Sequence, residues 1–400
     1  MKKDWEIKKL GEVCLKRDSI KWNNEKSNTE YQYIDLSAVD RESKSITETQ
    51  TITKENAPSR AQQIVKTGDI LFGTTRPTLK RFCLLSDVFD GQICSTGFCV
   101  VRPNQKSVFP DWIFYQFYNE EFYKYIEPLQ KGANYPAVTD KDISNFKIPV
   151  PPLEEQKRIV KILDEKIAQL ETIKTNVQTN LQNANDLFQS QLAKAFSNTT
   201  WEKKRLGDLC SKIGSGATPK GGRDSYKSEG IHLVRSMNVY DSKFVYDELA
   251  CIDDKQAYEL RNVELQENDV LFNITGASVC RCCVLPSEVL PARVNQHVSI
   301  LRPKQEQLNP TFLCSSMLGY KEILYKMACV GGSTRQAITK SQLEDFEIPL
   351  PPLPEQKRIV KELDTLSEKV RQLQEIYTKQ IANCADLKQS LLQKAFEGEL

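Results

Sequence analysis

Histidine is nearly absent. The 400-residue chain has two, His232 and His297, which removes most metal and triad chemistry built on imidazole. An excess of one charge is missing too, with 55 Lys+Arg against 53 Asp+Glu and a net charge of +2. Nucleic-acid binders often carry a strongly basic balance, and this chain does not, although a local basic face fits inside a neutral total. No apolar run approaches the roughly 18 residues needed to cross a bilayer. The opening MKKDWEIKKL alternates charge with apolar residues and has no apolar h-region, so it is not expected to serve as a signal peptide. Enzyme signatures are lacking as well: no G-x-x-x-x-G-K-[ST], no G-x-G-x-x-G after a strand, no H-E-x-x-H and no G-x-S-x-G. A soluble, cytoplasmic, non-catalytic protein without a membrane partner is expected.

Cysteine is not scarce, with 12 residues, but they are scattered rather than arranged as a disulfide framework. The local cluster Cys280, Cys282, Cys283 lacks the paired C-x₂-C spacing that tetrahedral zinc prefers. It lies in RCCVL at 281–285, and RFCLL at 81–85 repeats that segment with Phe82 in place of one cysteine. Ordinary strand packing is the expectation there, with no metal and no cofactor held by this chain.

What the chain does have is an internal repeat. WEIKKLGEVC from Trp5 matches WEKKRLGDLC from Trp201, an offset of 196. GDILF at 68–72 matches NDVLF at 268–272, and VRP ending at Pro103 matches LRP ending at Pro303. NFKIPVPPLEEQKRIVKILD at 145–164 returns as DFEIPLPPLPEQKRIVKELD at 345–364, and LAKAF ending at Phe196 returns as LQKAF ending at Phe396. Four extra residues fall between Cys210 and Asp269, near GSGATPKGGR. Each copy is a domain pair, far too long for a solenoid repeat.

Texture changes once in each copy, which places globular regions at 1–151 and 198–351 and helical regions at 152–197 and 352–400. The globular regions show short β-type runs such as Asp69–Phe72 and Val298–Leu301, with a short helical patch at Asp111–Tyr125. Pro110 and Pro310 suit a first helical turn. After Pro151 and Pro152 the pattern is helical without interruption. A heptad seam reads Ile159, Leu163, Leu170, Ile173, Val177, Ala184 and Leu187, interrupted by Lys166, Asn180 and Gln191. Its twin reads Ile359, Leu363, Leu366, Val370, Leu373, Tyr377, Cys384, Leu387 and Leu391, interrupted by Gln380. Asn180 and Gln380 share one repeat position, where a polar seam residue fixes register. About 44 residues per helix give about 65 Å at 1.5 Å per residue. Such a stripe needs a partner, either a second chain or the other helix of the same chain. Intramolecular pairing is favoured because the match is already present in the chain, and an antiparallel pair is easier to connect than a parallel one. It would set the globular regions at opposite ends about an approximate two-fold axis. Over 152–196 there are six acids and six bases, which suits a solvated or partner-facing surface rather than a DNA-binding stripe.

Arg, Lys, Asn, Gln, Ser and Thr collect at matching loops, and these are the side chains that grip phosphate and read base edges. GTTRPTLKR offers Thr74, Arg76, Lys80 and Arg81, and KGANYPAVTDK offers Asn134, Tyr135, Thr139 and Lys141. In the second copy IGSGATPK offers Gly216, Thr218 and Lys220, read either as a backbone nest for phosphate or as a turn between strands. NITGASVCR offers Asn273, Thr275, Ser278 and Arg281, and GGSTRQAITK offers Ser333, Thr334, Arg335 and Gln336. Framework motifs match between the copies while the loops diverge, as expected of two related domains that read different short sequences.

The pairing of IPxPPLxEQKRIV with a long helix ending in KAF, twice, resembles the specificity subunit of type I restriction–modification systems. LGDLC, IGSGATPK, NDVLFNITGASVCRC, GGSTRQAITK and KAFEGEL carry the same resemblance, which covers essentially the whole chain. It implies an α+β fold of two pseudo-symmetric target-recognition domains joined by two long antiparallel coiled-coil helices. It also implies a non-catalytic subunit that reads a bipartite double-stranded DNA target and gathers two modification subunits. Those partners would carry S-adenosylmethionine and methylate adenine, and a restriction–translocation subunit is left open. The first copy departs from the pattern, with TRPTLKR for TGASVCR and no GSGATPK after Cys14. Half-sites near one helical turn apart, about 34 Å, suit a two-fold reader. The alternatives are a coiled-coil scaffold without sequence readout, and a nuclease, for which the scattered acids show no repeated cluster.

Overall fold

A computed structural model of the chain describes residues 5–197, 200–329 and 336–400, with Arg223 described by its backbone alone. The chain forms two compact units, Met1–Gln178 with Thr378–Leu400, and Thr179–Tyr377. Each joins an α+β globular part to one stretch of each of two long helices, Leu153–Ala195 and Leu353–Glu397.

The repeated framework motifs build the same sheet twice. In the first unit the four-stranded antiparallel order is Cys14–Leu15, Phe98–Pro103, Ile70–Gly73, Phe82–Leu84. In the second it is Cys210–Ser215, Val298–Pro303, Val270–Asn273, Cys282–Val284. The registers correspond: Val101 faces Ile70, and Leu301 faces Val270. Each central strand is launched by a left-handed residue, Gly68 (φ 82°) or Asn268 (φ 68°), residue types that tolerate that region. The aspartate that follows is buried and held by an arginine fork. Asp69 accepts from Arg102 Nε and Nη2, both at 2.9 Å, and Asp269 accepts from Arg302 Nε at 2.7 Å and Nη2 at 2.8 Å. Flanking sheets differ, with five strands in the first unit and three in the second. The expected helical patch Asp111–Tyr125 is two helices, Pro110–Gln116 and Glu120–Ile126, because the Asn119 side chain caps the second by accepting from Glu121 N.

The EQKRIV motif welds helix to globular part. Gln156 is fully buried; its Oε1 accepts from Phe109 N at 2.8 Å, and its Nε2 donates to Ser107 O at 3.2 Å and Pro151 O at 2.7 Å. Gln356 repeats this with Asn309 N, Gln307 O and Pro351 O, each at 2.8 Å. The KAF ends dock crosswise. Phe396 stacks edge-on against Trp112 of the first unit, and Phe196 against Phe312 of the second, both at 5.3 Å between centroids. Each core thus receives the start of its own repeat's helix and the end of the other's, so the helices run antiparallel. Arg158 meets Leu400 and Glu171 meets Lys388 in the first unit, and Asn185 meets Gln374 in the second.

The seam between them corrects the expected one. Leu163, Val177 and Ala184 face inward as expected, but the second column lies one residue later, at Ile167, Leu181 and Phe188. Ile173 and Leu187 are 49% and 52% exposed, and on the other helix Leu373 and Leu387 are 39% and 57% exposed. Asn180 and Gln380 also lie outside; the polar seam contact is Gln374 Nε2 donating to Asn185 Oδ1 at 2.5 Å. Both candidate columns carry aliphatic residues, so periodicity alone leaves two rotations open. The anchored glutamines and phenylalanines fix the rotation.

Two outcomes follow. Gln156→Leu leaves one N–H and two carbonyls without their partner, and should cost about 2–4 kcal/mol in denaturant unfolding; an unmoved midpoint would contradict the weld. Ile173→Lys should stay within about 0.5 kcal/mol of wild type, whereas Val177→Lys should cost about 2 kcal/mol or more. Equal losses in the two variants would restore the expected seam.

Candidate nucleic-acid interface

Both units join the same two loops by the same backbone bridge. In the first, Thr75 pairs with Ala137, Arg76 N donates to Pro136 O at 2.7 Å, and Val138 N donates to Thr74 O at 3.0 Å. In the second, Thr275 pairs with Ala337, Gly276 N donates to Gln336 O at 3.0 Å, and Ile338 N donates to Ile274 O at 2.9 Å. The loop after the central strand is thereby pinned beside the loop that enters a short helix capped by Thr139 or Thr339. Side chains at the seam of these loops are held on a rigid sheet, which is how recognition loops gain precision.

In the first unit the loop cations have different surroundings. Arg76, in a left-handed conformation (φ 48°), lies over the Tyr135 ring at 5.0 Å and donates from Nη2 to Asn134 O at 3.1 Å. Tyr135 is 71% exposed, so this cation–aromatic pair stands at the surface. Lys80 pairs with Glu120 at 2.5 Å over the Tyr123 ring, and Lys141 is exposed. Arg81 turns inward to donate to Leu36 O, and Thr74 donates to Gly97 O at 2.9 Å. Thr139 accepts from Asp142 N and donates to its carboxylate, so its hydroxyl serves the helix cap. A cation that the sequence did not single out, Lys44, lies over the Phe82 ring at 4.4 Å and donates to Lys80 O. Burial, and then the charges of Lys80 and Lys388, push its ammonium down to about 8.

In the second unit the loops enclose a cavity of about 560 Å³ lined by Ser236, Met237, Tyr240, Thr275, Gly276, Ala277, Ser278, Arg281, His297, Gln336 and Ala337. Thr275, Ser278, Arg281 and Gln336 are brought together there. Arg281 lies 4.2 Å over Tyr240, Thr275 Oγ1 and His297 Nδ1 share a hydrogen bond at 2.6 Å, and Gln336 Nε2 donates to the Tyr325 hydroxyl at 2.6 Å. Asn273 is a correction: it is fully buried, and its amide donates to Ser236 O at 2.9 Å, so it supports the 236–240 loop from beneath. In IGSGATP the first three residues end the strand Cys210–Ser215. Gly216 then passes so near the chain that a Cβ would lie 1.8 Å from Val294 O, and its own N donates to Asn295 O. Thr218 donates to Gln296, and Lys220 is exposed. Ser333, Thr334 and Arg335 lie outside the described residues. Ser236, Met237, Tyr240 and His297 were missed because they reach the cavity from segments distant in sequence. The inequality of the two copies at 97 and 297, Gly against His, was the available signal.

The cysteine cluster packs in the sheet. Burial pushes the Cys280 thiol up to about 12, and it raises the Cys282 thiol well above its ordinary range with help from a hydrogen bond to Cys314. Among the described residues, no three or more His, Cys, Asp or Glu side chains gather as a metal site, and no helix is long and apolar enough to cross a membrane.

A duplicated α+β scaffold, each copy presenting cation–aromatic and hydroxyl-bearing loops and welded to two long helices, defines a two-domain recognition subunit. A family model, the type I restriction modification DNA specificity domain, matches residues 2–182 and 198–381, and the chain belongs to that family. The type I restriction enzyme MjaIX specificity subunit of Methanocaldococcus jannaschii is 25% identical over 100% of this chain and 94% of its own length. The EcoKI specificity subunit of Escherichia coli is 25% identical over 77% and 69%. A chain in a structure of the type I R-M system, solved for its complex assembly and conformational transition, superposes with a TM-score of 0.87 at 30% identity, over 100% and 99% of the two chains. The HsdS subunit from Thermoanaerobacter tengcongensis gives 0.67 at 31%, over 100% and 98%. The protein is a DNA sequence-specificity subunit of a type I restriction–modification system, and a scaffold without readout is not favoured.

Asn273→Ala should lower stability by about 1–3 kcal/mol in thermal unfolding while the base recognised at every position stays the same. A changed DNA sequence with an unmoved midpoint would place Asn273 among the DNA contacts instead.

Proposed function

We propose that this chain is a non-catalytic reader of a bipartite double-stranded DNA target that positions two modification subunits, with room for a restriction–translocation subunit. The observation that carries it is the loop bridge made at Thr75–Ala137 and again at Thr275–Ala337, with different side chains around each. One backbone platform carrying two chemistries suits two different half-sites. The contacts proposed for the first half-site are Arg76 with Tyr135, Lys80 and Lys141. For the second they are Thr275, Ser278, Arg281, Gln336, Thr218 and Lys220. Thr74, Arg81, Thr139, Gly216 and Asn273 act one step back, by holding these loops in place. The helix pair, continuous over 43 and 45 residues, serves as the ruler that sets the unread gap. Adenine methylation, with S-adenosylmethionine, belongs to the partner subunits. A near-neutral net charge fits a subunit that shares DNA wrapping with them.

Replacing residues 1–151 by the corresponding domain of a relative should change one half of the methylated sequence and leave the other half intact. Methylation mapping of cellular DNA reads this directly, and an unchanged sequence would favour the scaffold. Inserting one heptad into each long helix should lengthen the gap between half-sites; the same gap would overturn the ruler. The purified chain alone should transfer no methyl group to DNA.

A further inference from the structure

The cavity of the second unit has an unusual balance of hydrogen-bonding groups. Among the described residues its lining includes one cation, Arg281, one imidazole, His297, and no carboxylate. Among the described residues, the other arginines around these loops are committed. Arg235 donates to Glu248 O, Arg293 pairs with Glu264 at 3.4 Å, and Arg302 forks onto Asp269. The Arg281 guanidinium makes no ion pair or hydrogen bond to a described residue; it rests on the Tyr240 ring. Stacking on an aromatic face fixes the guanidinium plane and leaves its in-plane N–H donors unspent.

From this, and resting on the reading of the chain as a bipartite DNA reader, we propose that Arg281 on Tyr240 is the guanine-specifying residue of the second half-site. A planar fork of donors matches the O6 and N7 acceptors that guanine shows in the major groove. Cytosine there offers an N4 donor and calls for a carboxylate acceptor, which the described lining residues lack. Adenine calls for an amide that both donates and accepts; among the described lining residues Gln336 is the one amide, and one of its two N–H donors is spent on the Tyr325 hydroxyl, whereas the whole Arg281 fork is unspent. Guanine is the base whose edge that free fork matches. Tyr240 acts as a positioning residue, since it orients the fork without needing to touch the base.

The test maps methylation in cells that carry the full system with wild-type chain, Arg281→Ala, Tyr240→Phe or Tyr240→Ala. The wild-type second half-site should contain guanine, and Arg281→Ala should relax that one position about 5- to 150-fold while the first half-site stays unchanged. Tyr240→Phe should keep the preference, and Tyr240→Ala should weaken it. Should Arg281→Ala fail to fold, the assembled wild-type complex is measured on duplexes with 7-deazaguanine at each guanine of that half-site. One position should then lose affinity. A half-site without guanine, full discrimination in Arg281→Ala, or indifference to every 7-deaza substitution would overturn the assignment. A wild-type chain that directs no bipartite methylation at all would instead overturn the function on which it rests.

Discussion

A glutamine buried where a long helix meets a β-rich domain constrains much else in this molecule. Gln156 and Gln356 each satisfy a backbone N–H and a carbonyl just ahead of a proline-initiated helix, and a second carbonyl at the turn that enters the long helix. An amide is suited to this because it donates twice and accepts at once. With three partners on two separate stretches of backbone, the side chain fixes the direction of the helix and its rotation about its axis. Phe396 and Phe196 then fix the far ends in the other repeat's core. Four anchors leave the helix pair little freedom to turn. That accounts for a seam through Ile167, Leu181 and Phe188 while Ile173 and Leu187 face outward.

Arginine does opposite work in the framework and in the loops. Arg102 and Arg302 spend their forks on buried Asp69 and Asp269, at equivalent strand ends, where an unpaired carboxylate would be costly. Those pairs recur because the sheet needs them twice. The loop arginines are not kept alike: Arg76 has Gly276 as its counterpart, and Arg81, at the position of Arg281, is turned inward to Leu36 O. The duplication therefore preserves what positions the loops and leaves free what the loops present.

Much of this was legible in the sequence. The offset of 200 between GDILF and NDVLF, the prolines ahead of EQKRIV and the uninterrupted helical texture after them gave the repeat and the long helices. The loops that carry Thr275, Ser278, Arg281 and Gln336 could be picked out as candidates, since divergent loops on a repeated framework are visible by alignment of the chain with itself. Asn273 was misjudged because polar type alone does not reveal burial. Its partner Ser236 is 37 residues away. His297 reached the cavity unnoticed for the same reason.

Local chemistry is written residue by residue: periodicity makes the helices, apolar runs after Gly68 and Asn268 make the strands, and Pro110 and Pro310 start their helices. Those features the sequence determined by itself, because they depend on neighbours within a few positions. Which of two aliphatic columns faces the partner helix, and which loop side chains remain free to meet DNA, only the tertiary structure decided. Both depend on contacts between segments far apart in the chain. A period of 3.5 residues admits either column, and a guanidinium is free or spent according to whether a distant carbonyl or carboxylate comes within reach.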